Sequence, residues 1–185
     1  LSVSVEWCTI FWGADFLDNS VGLSRVTAST LMSVFFLAMV IGRFTGSRLT
    51  HTRTLTTLLP AAVALAMLGF FPFWLAPLAA LNVAGLFIAG LGIANLYPFT
   101  LSTASGVVKP SQADQASGRL ILASGSAILI TPQALGTLAD QVGIKGAYGV
   151  AGVFLVLALL MVQIANRKAA QLAADARARA HHVTT

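Results

Sequence analysis

Residues 54–108 read TLTTLLPAAVALAMLGFFPFWLAPLAALNVAGLFIAGLGIANLYPFTLSTASGVV, 55 residues without one Asp, Glu, Lys or Arg. About 20 apolar residues in helical form cross a hydrocarbon core of about 30 Å. The stretch therefore holds two spans and the turn between them, with Pro72 and Pro77 marking the turn. Transmembrane strands would alternate apolar and polar side chains. Residues 61–68 (AAVALAML) do not alternate, and Ala and Leu are good helix formers. The spans are helices.

The same reading of charge gaps extends outward. Residues 26–42 form an uncharged run of 17 between Arg25 and Arg43, two side chains long enough to snorkel to the headgroups. Residues 120–139 give 20 more and residues 146–166 give 21, while residues 1–17 are interrupted only by Glu6 and Asp15. These gaps predict an all-α membrane protein with six transmembrane helices at about 1–18, 25–46, 54–73, 78–104, 118–139 and 146–167. Residues 1–166 form the helical unit and residues 167–185 a basic tail. The composition agrees, at 57% hydrophobic and 9% charged against about 25% charged for a soluble domain. It excludes a soluble enzyme, a nucleic-acid reader and a disordered chain.

The basic excess, 11 Lys and Arg against 6 Asp and Glu, sorts by side of the membrane. Arg43, Arg48, Arg53, Lys109, Arg119, Arg167, Lys168, Arg177 and Arg179 fall on one side, and only Arg25 and Lys145 on the other. Nine against two places those segments and the C-terminus in the cytoplasm. Cys8 is the single cysteine, so no internal disulfide forms. The chain starts at Leu1 without the pattern of a signal peptide, and the expectation is that it continues a longer chain.

Catalysis is not indicated. His51, His181 and His182 lie in a turn and the tail, so no membrane-embedded imidazole is available for a metal or a serine nucleophile. No cofactor, metal or nucleic-acid partner is expected. Transport or a structural membrane role remains, and polar residues at membrane depth are the informative ones. Glu6 lies 12 residues before Asp18, about 18 Å along the helix and near mid-depth. A carboxylate there needs a wet cavity, a partner or a proton. Asp15 is nine residues away, about 180° round the helix, so the two acids do not share a site.

The fourth helix carries Asn95 and Tyr97 beside Pro98, which frees the carbonyl of Ala94. This is either a packing kink or a hinge with cavity-lining side chains. On the fifth helix Arg119, Ser126, Gln133 and Asp140 recur every seven residues, drifting only about 20° per step. Such a polar stripe faces protein or water rather than lipid. The third and sixth helices carry almost no polar groups at depth and suit a lipid-facing periphery.

Residues 41–53, IGRFTGSRLTHTR, resemble the glycine-and-arginine loop that follows the second helix of each six-helix half in the major facilitator superfamily. Gly42, Arg43, Gly46 and Arg48 match it, and Gly46 stands where the stronger form of the motif has an acid, a departure usual for the second half. Phe11 to Leu17 is similar to the family's seventh helix and Gly92 to Ser102 to its tenth. The resemblance implies the C-terminal half of a twelve-helix transporter. Helices 1, 2, 4 and 5 would line its cavity, and the basic loop would help hold the outward-open state.

Together these readings predict a secondary transporter, plausible for sugar-like or drug-like solutes, in a bacterial plasma membrane. The expected partners are the lipid bilayer, a missing N-terminal half and a small solute, with or without protons. Glu6 is the candidate for proton coupling or cation binding, and Asn95, Tyr97, Ser126 and Gln133 are the cavity candidates. The competing reading is a non-transporting membrane scaffold or receptor on the same fold, which would have no need of an isolated mid-membrane Glu.

Overall fold

The computed structural model describes residues 1–106 and 112–183, with side chains described up to residue 171 except that of residue 113. Lys109, counted in the charge bias, lies outside the described residues. Six helices follow in order: α1 (Ser2–Asn19), α2 (Arg25–Leu49), α3 (Leu55–Leu75), α4 (Ala79–Gly106), α5 (Ala113–Ala147) and α6 (Gly149–Val183). Five of them, α2 to α6, are long and apolar enough to cross a membrane. The first carries Glu6, Asp15 and Asp18 within 18 residues.

Several boundaries differ from the charge-gap reading. Pro72 lies inside α3, not in the turn, which is Ala76 to Leu78. The segment taken as a loop after the second helix is still helical through Leu49, so Gly42, Arg43, Gly46 and Arg48 form the last two turns of α2. Charged residues at a helix end do not end the helix; they only end its apolar stretch. Helix α5 starts earlier than expected and is broken at Gly143, where φ of 77° suits glycine. Helix α6 runs on through the basic tail to Val183.

Lipid offers apolar side chains no advantage in leaving it, so close packing holds such helices together. The tightest seam is between α3 and α4. A Cβ on Gly69 would collide with the backbone N of Ala89, and one on Gly92 with the backbone N of Ala66. Only glycine lets these two backbones come so near. Helix α2 packs on α4, α6 packs on α3, and α1 touches α2, α4, α5 and α6.

Polar side chains then close the gaps in the backbone ladder. Pro60 leaves the carbonyl of Thr56 without its intrahelical donor, and Asn166 of α6 donates to that oxygen at 2.8 Å. Asn82 donates to the carbonyls of Phe73 and Ala76 at 2.8 and 3.2 Å, fixing the α3–α4 turn. Trp74 donates to the carbonyl of Lys145 at 2.7 Å, just past the Gly143 break.

The two ends of the bundle are unlike. One gathers Phe16, Phe70, Phe73 and Tyr148 into a buried aromatic cluster, where Tyr148 donates to the carbonyl of Cys8 at 3.3 Å. The other, the basic end, carries the α2–α3 turn with Arg48, His51 and Arg53.

Candidate functional site

The single ion pair among the described residues joins α1 to α2. An Arg43 terminal N–H donates to Glu6 Oε1 at 3.5 Å. The carboxyl side chain is 12% exposed and the guanidinium side chain 59%, so the pair is anchored inside and open at its arginine. Arg43 lies about 27 Å along α2 from Arg25, at 1.5 Å per residue. Its backbone thus stands toward the basic end of α2, and its long side chain reaches the Glu6 carboxylate on α1.

Beside the pair, α4 is clamped to α2. Asn95 is buried, and its Nδ2 donates to the carbonyl of Gly42 at 2.8 Å and to that of Leu91 at 3.3 Å. A Cβ on Gly46 would overlap the Asn95 amide, and one on Gly42 would meet the Leu91 carbonyl oxygen at 2.6 Å. The two motif glycines are therefore the seat of the Asn95 side chain and of the α4 backbone. Asn95 is placed in a helix interface here, away from the open face.

Helix α5 leans on α1 through Trp12, whose Nε1 donates to the carbonyl of Pro132 at 2.8 Å while the indole covers Gly136. Thr131 donates to Ser4 at 3.1 Å farther along. These contacts hold one side of α5 inward and leave Arg119, Ser126, Gln133 and Asp140 exposed on the other. Ser126 donates only to the carbonyl of Leu122, at 3.0 Å. The seven-residue stripe thus lies on an open face, where its polar side chains alternate with the exposed Leu122 and Leu129.

Tyr97 is half-buried and lines a cleft of about 140 Å³ with Ser2, Thr100 and Ser124. Ser124 is two residues from Ser126, about 160° round the helix, so Tyr97 and Ser126 sit on different sides of α5. The cavity candidates accordingly divide into three places rather than one. Ser4, Trp12, Ser124 and Thr131 were not singled out from the sequence, although Ser117, Ser124 and Thr131 also recur every seven residues, on a second face of α5. At the other end of α1, Phe11, Trp12, Asp15, Asp18, Arg25 and Ser29 line a cleft of about 260 Å³.

The open face continues onto α2, where Ser29, Ser33, Phe36, Val40 and Arg43 are exposed. By contrast, the exposed residues of α3 between Ala61 and Leu75 are all Ala or Leu. Those of α6 between Val153 and Met161 are Val, Leu and Met. Among the described residues no group of three His, Cys, Asp or Glu side chains is placed to share a metal ion.

The chain was compared with known proteins. No individual curated protein matches it. Residues 2–183 match the family described as the Major Facilitator Superfamily. That match spans every helix described above, including the glycine-and-arginine end of α2, the Asn95 clamp and the polar face of α5. The chain belongs to the Major Facilitator Superfamily and is an integral membrane transporter domain of that type.

Proposed function

We propose that the chain is the C-terminal six-helix half of a secondary transporter that carries a small solute by alternating access. The observation that carries the proposal is the asymmetry of its exposed surface. Arg43, Ser126, Gln133, Ser29 and Ser33 are exposed among apolar side chains on α2 and α5, whereas the exposed residues of α3 from Ala61 to Leu75 and of α6 from Val153 to Met161 are all apolar. A polar face at membrane depth is costly against lipid and suits a water-filled path or a second protein half. In repeat-built transporters the solute path runs between two such halves, and the polar face is where the other half belongs.

In this reading the basic end faces the cytoplasm of a bacterium, and the C-terminus lies on the same side. Glu6 is the coupling acid. Arg43 is its counter-ion while the carboxylate is charged, and protonation of Glu6 releases the arginine toward the path. Ser126 and Gln133 line that path from α5, while Tyr97 lines the separate cleft on the other side of that helix. Asn95 takes no solute; it holds α4 against α2 so that Arg43 is presented from a fixed turn. Sugar-like and drug-like solutes remain the two classes to screen.

The test is uptake of a solute panel by proteoliposomes holding the whole transporter, with and without an imposed pH gradient. Glu6→Gln keeps the shape and removes the titration, so it abolishes gradient-driven accumulation while leaving exchange of labelled for unlabelled solute. Accumulation at parental rates across pH 5.5 to 8 would assign the coupling to another group.

A further inference from the structure

On the side of α2 away from Arg43 there is a second feature that the transport path does not use. Ile41, Thr45, Gly46 and Leu49 of α2, Leu58, Ala61, Ala62 and Leu65 of α3, and Leu91, Asn95 and Phe99 of α4 line a groove of about 280 Å³. Ile41 and Thr45 each stand two residues from Arg43, about 160° round the helix. The groove therefore opens away from the polar face. Its lining is apolar except at Thr45 and Asn95, whose donors are already engaged with helix carbonyls. It is lined by three helices.

The mouth of the groove has a different chemistry. Leu49 ends α2 and Leu58 belongs to the first turn of α3, so the groove reaches the α2–α3 turn. From Arg43 to Leu55 that segment carries Arg43, Arg48, His51 and Arg53 and no acid. Arg48 stands over the Phe44 ring, its guanidinium carbon 4.3 Å from the centroid. Stacking of this kind restrains the guanidinium while leaving its N–H edges free for an anion. Arg48, and Arg53 whose backbone N–H donates to the Leu49 carbonyl at 2.9 Å, thus supply positive charge beside the mouth of a hydrocarbon-lined slot.

We infer that the groove between α2, α3 and α4 binds one anionic phospholipid, with an acyl chain against Ala61 and Leu65 and the phosphate on Arg48 and Arg53. Charge complementarity selects this occupant: a zwitterionic lipid fills the slot equally well but gains less at the arginines. Each basic residue near an anionic surface favours it roughly five-fold. The pair together gives a headgroup preference of about twenty-five-fold. The lipid would brace the end of α2 next to the Gly42 and Gly46 clamp, and so the turn from which Arg43 is presented. Only the assignment to the cytoplasmic leaflet rests on the proposed orientation; binding itself is read without it.

The experiment is native mass spectrometry of the whole transporter in detergent, equilibrated with equal phosphatidylglycerol and phosphatidylcholine. The parent retains phosphatidylglycerol preferentially. Arg48→Gln with Arg53→Gln lowers that preference about twenty-five-fold, whereas Arg167→Gln with Lys168→Gln in α6 leaves it in place. Ala61→Trp, at an exposed position that fills the slot, reduces retention of both lipids without lowering the melting temperature. Glycerol phosphate at millimolar concentration does not displace the bound lipid, because it has no chain for the slot. Equal retention of the two lipids by the parent overturns the inference. So does a preference that survives Arg48→Gln with Arg53→Gln, or displacement by glycerol phosphate alone.

Discussion

Gly46→Ala tests the clamp between α2 and α4 because the three atoms nearest the added methyl all belong to the Asn95 amide. The methyl group forces that amide off the Gly42 carbonyl, which it holds at 2.8 Å. A side-chain hydrogen bond between membrane helices contributes about 0.6 kcal/mol on average and up to about 1.7. Overpacking adds about 1–3 kcal/mol, and alanine regains up to about 1 kcal/mol in helix propensity. The expected net cost of Gly46→Ala is about 1–3 kcal/mol. Asn95→Ala alone loses the bond but leaves the Gly42 carbonyl with its own helical donor, for about 1 kcal/mol. In the double variant the obstacle is gone, and the methyl fills space the amide vacated. The two costs therefore fail to add, with a coupling of about 2 kcal/mol, well above the few tenths seen for independent sites. Gly13→Ala is the control: its methyl meets the Met32 side chain at 2.7 Å, which shares no partner with Asn95, so its cost adds to that of Asn95→Ala. The assay is thermal or steric-trap unfolding of the four variants and the control pair in detergent. Additivity of Gly46→Ala and Asn95→Ala, within about 0.5 kcal/mol, would refute the clamp.

Two further outcomes follow from the packing and the charge distribution. Gly69→Val places side-chain carbon against the backbone of Ala89, which cannot turn aside, so the variant loses several kcal/mol and its folded yield drops sharply, whereas Gly118→Ala, with open space around it, is neutral within about 0.5 kcal/mol; equal yields would show that the α3–α4 seam is looser than described. In a Cys8→Ala background, which keeps the backbone carbonyl that Tyr148 uses, a cysteine at Ser47 reacts with an impermeant thiol reagent from the cytoplasm and one at Asn19 from outside; reversed labelling would invert the orientation.

Helix number and type were legible because charge gaps measure membrane thickness directly. The 55 uncharged residues from Thr54 admit two spans and no other arrangement of comparable economy. Helix ends were less legible. Arg43 and Arg48 end an apolar run but are good helix formers, so α2 continued past them to Leu49. Pro72 costs the Leu68 carbonyl its helical donor, yet α3 runs on to Leu75, since membrane helices packed against neighbours tolerate an internal proline. The periodic line of Arg119, Ser126, Gln133 and Asp140 was readable because helical geometry makes spacing into a face. The role of Asn95 was not, because its partner at Gly42 is 53 residues distant and no local pattern encodes a contact between helices. Glu6 was recognised as an acid needing a partner, yet only the register of α1 against α2 shows that the partner is Arg43.

The central claim is that the α5 stripe lines a path open in turn to each side of the membrane, and it is testable without knowing the solute. Ser126→Cys and Gln133→Cys are introduced singly into the whole transporter in a Cys8→Ala background, with Leu160→Cys on the apolar face of α6 as reference. A small membrane-impermeant thiol reagent is then applied from the cytoplasmic side and from the outside of oriented vesicles. Alternating access predicts that both α5 cysteines react from both sides, while the one at Leu160 reacts from neither. Cysteines at 126 and 133 as inert as the one at 160 would contradict the account, since the stripe would then face lipid or a dry interface.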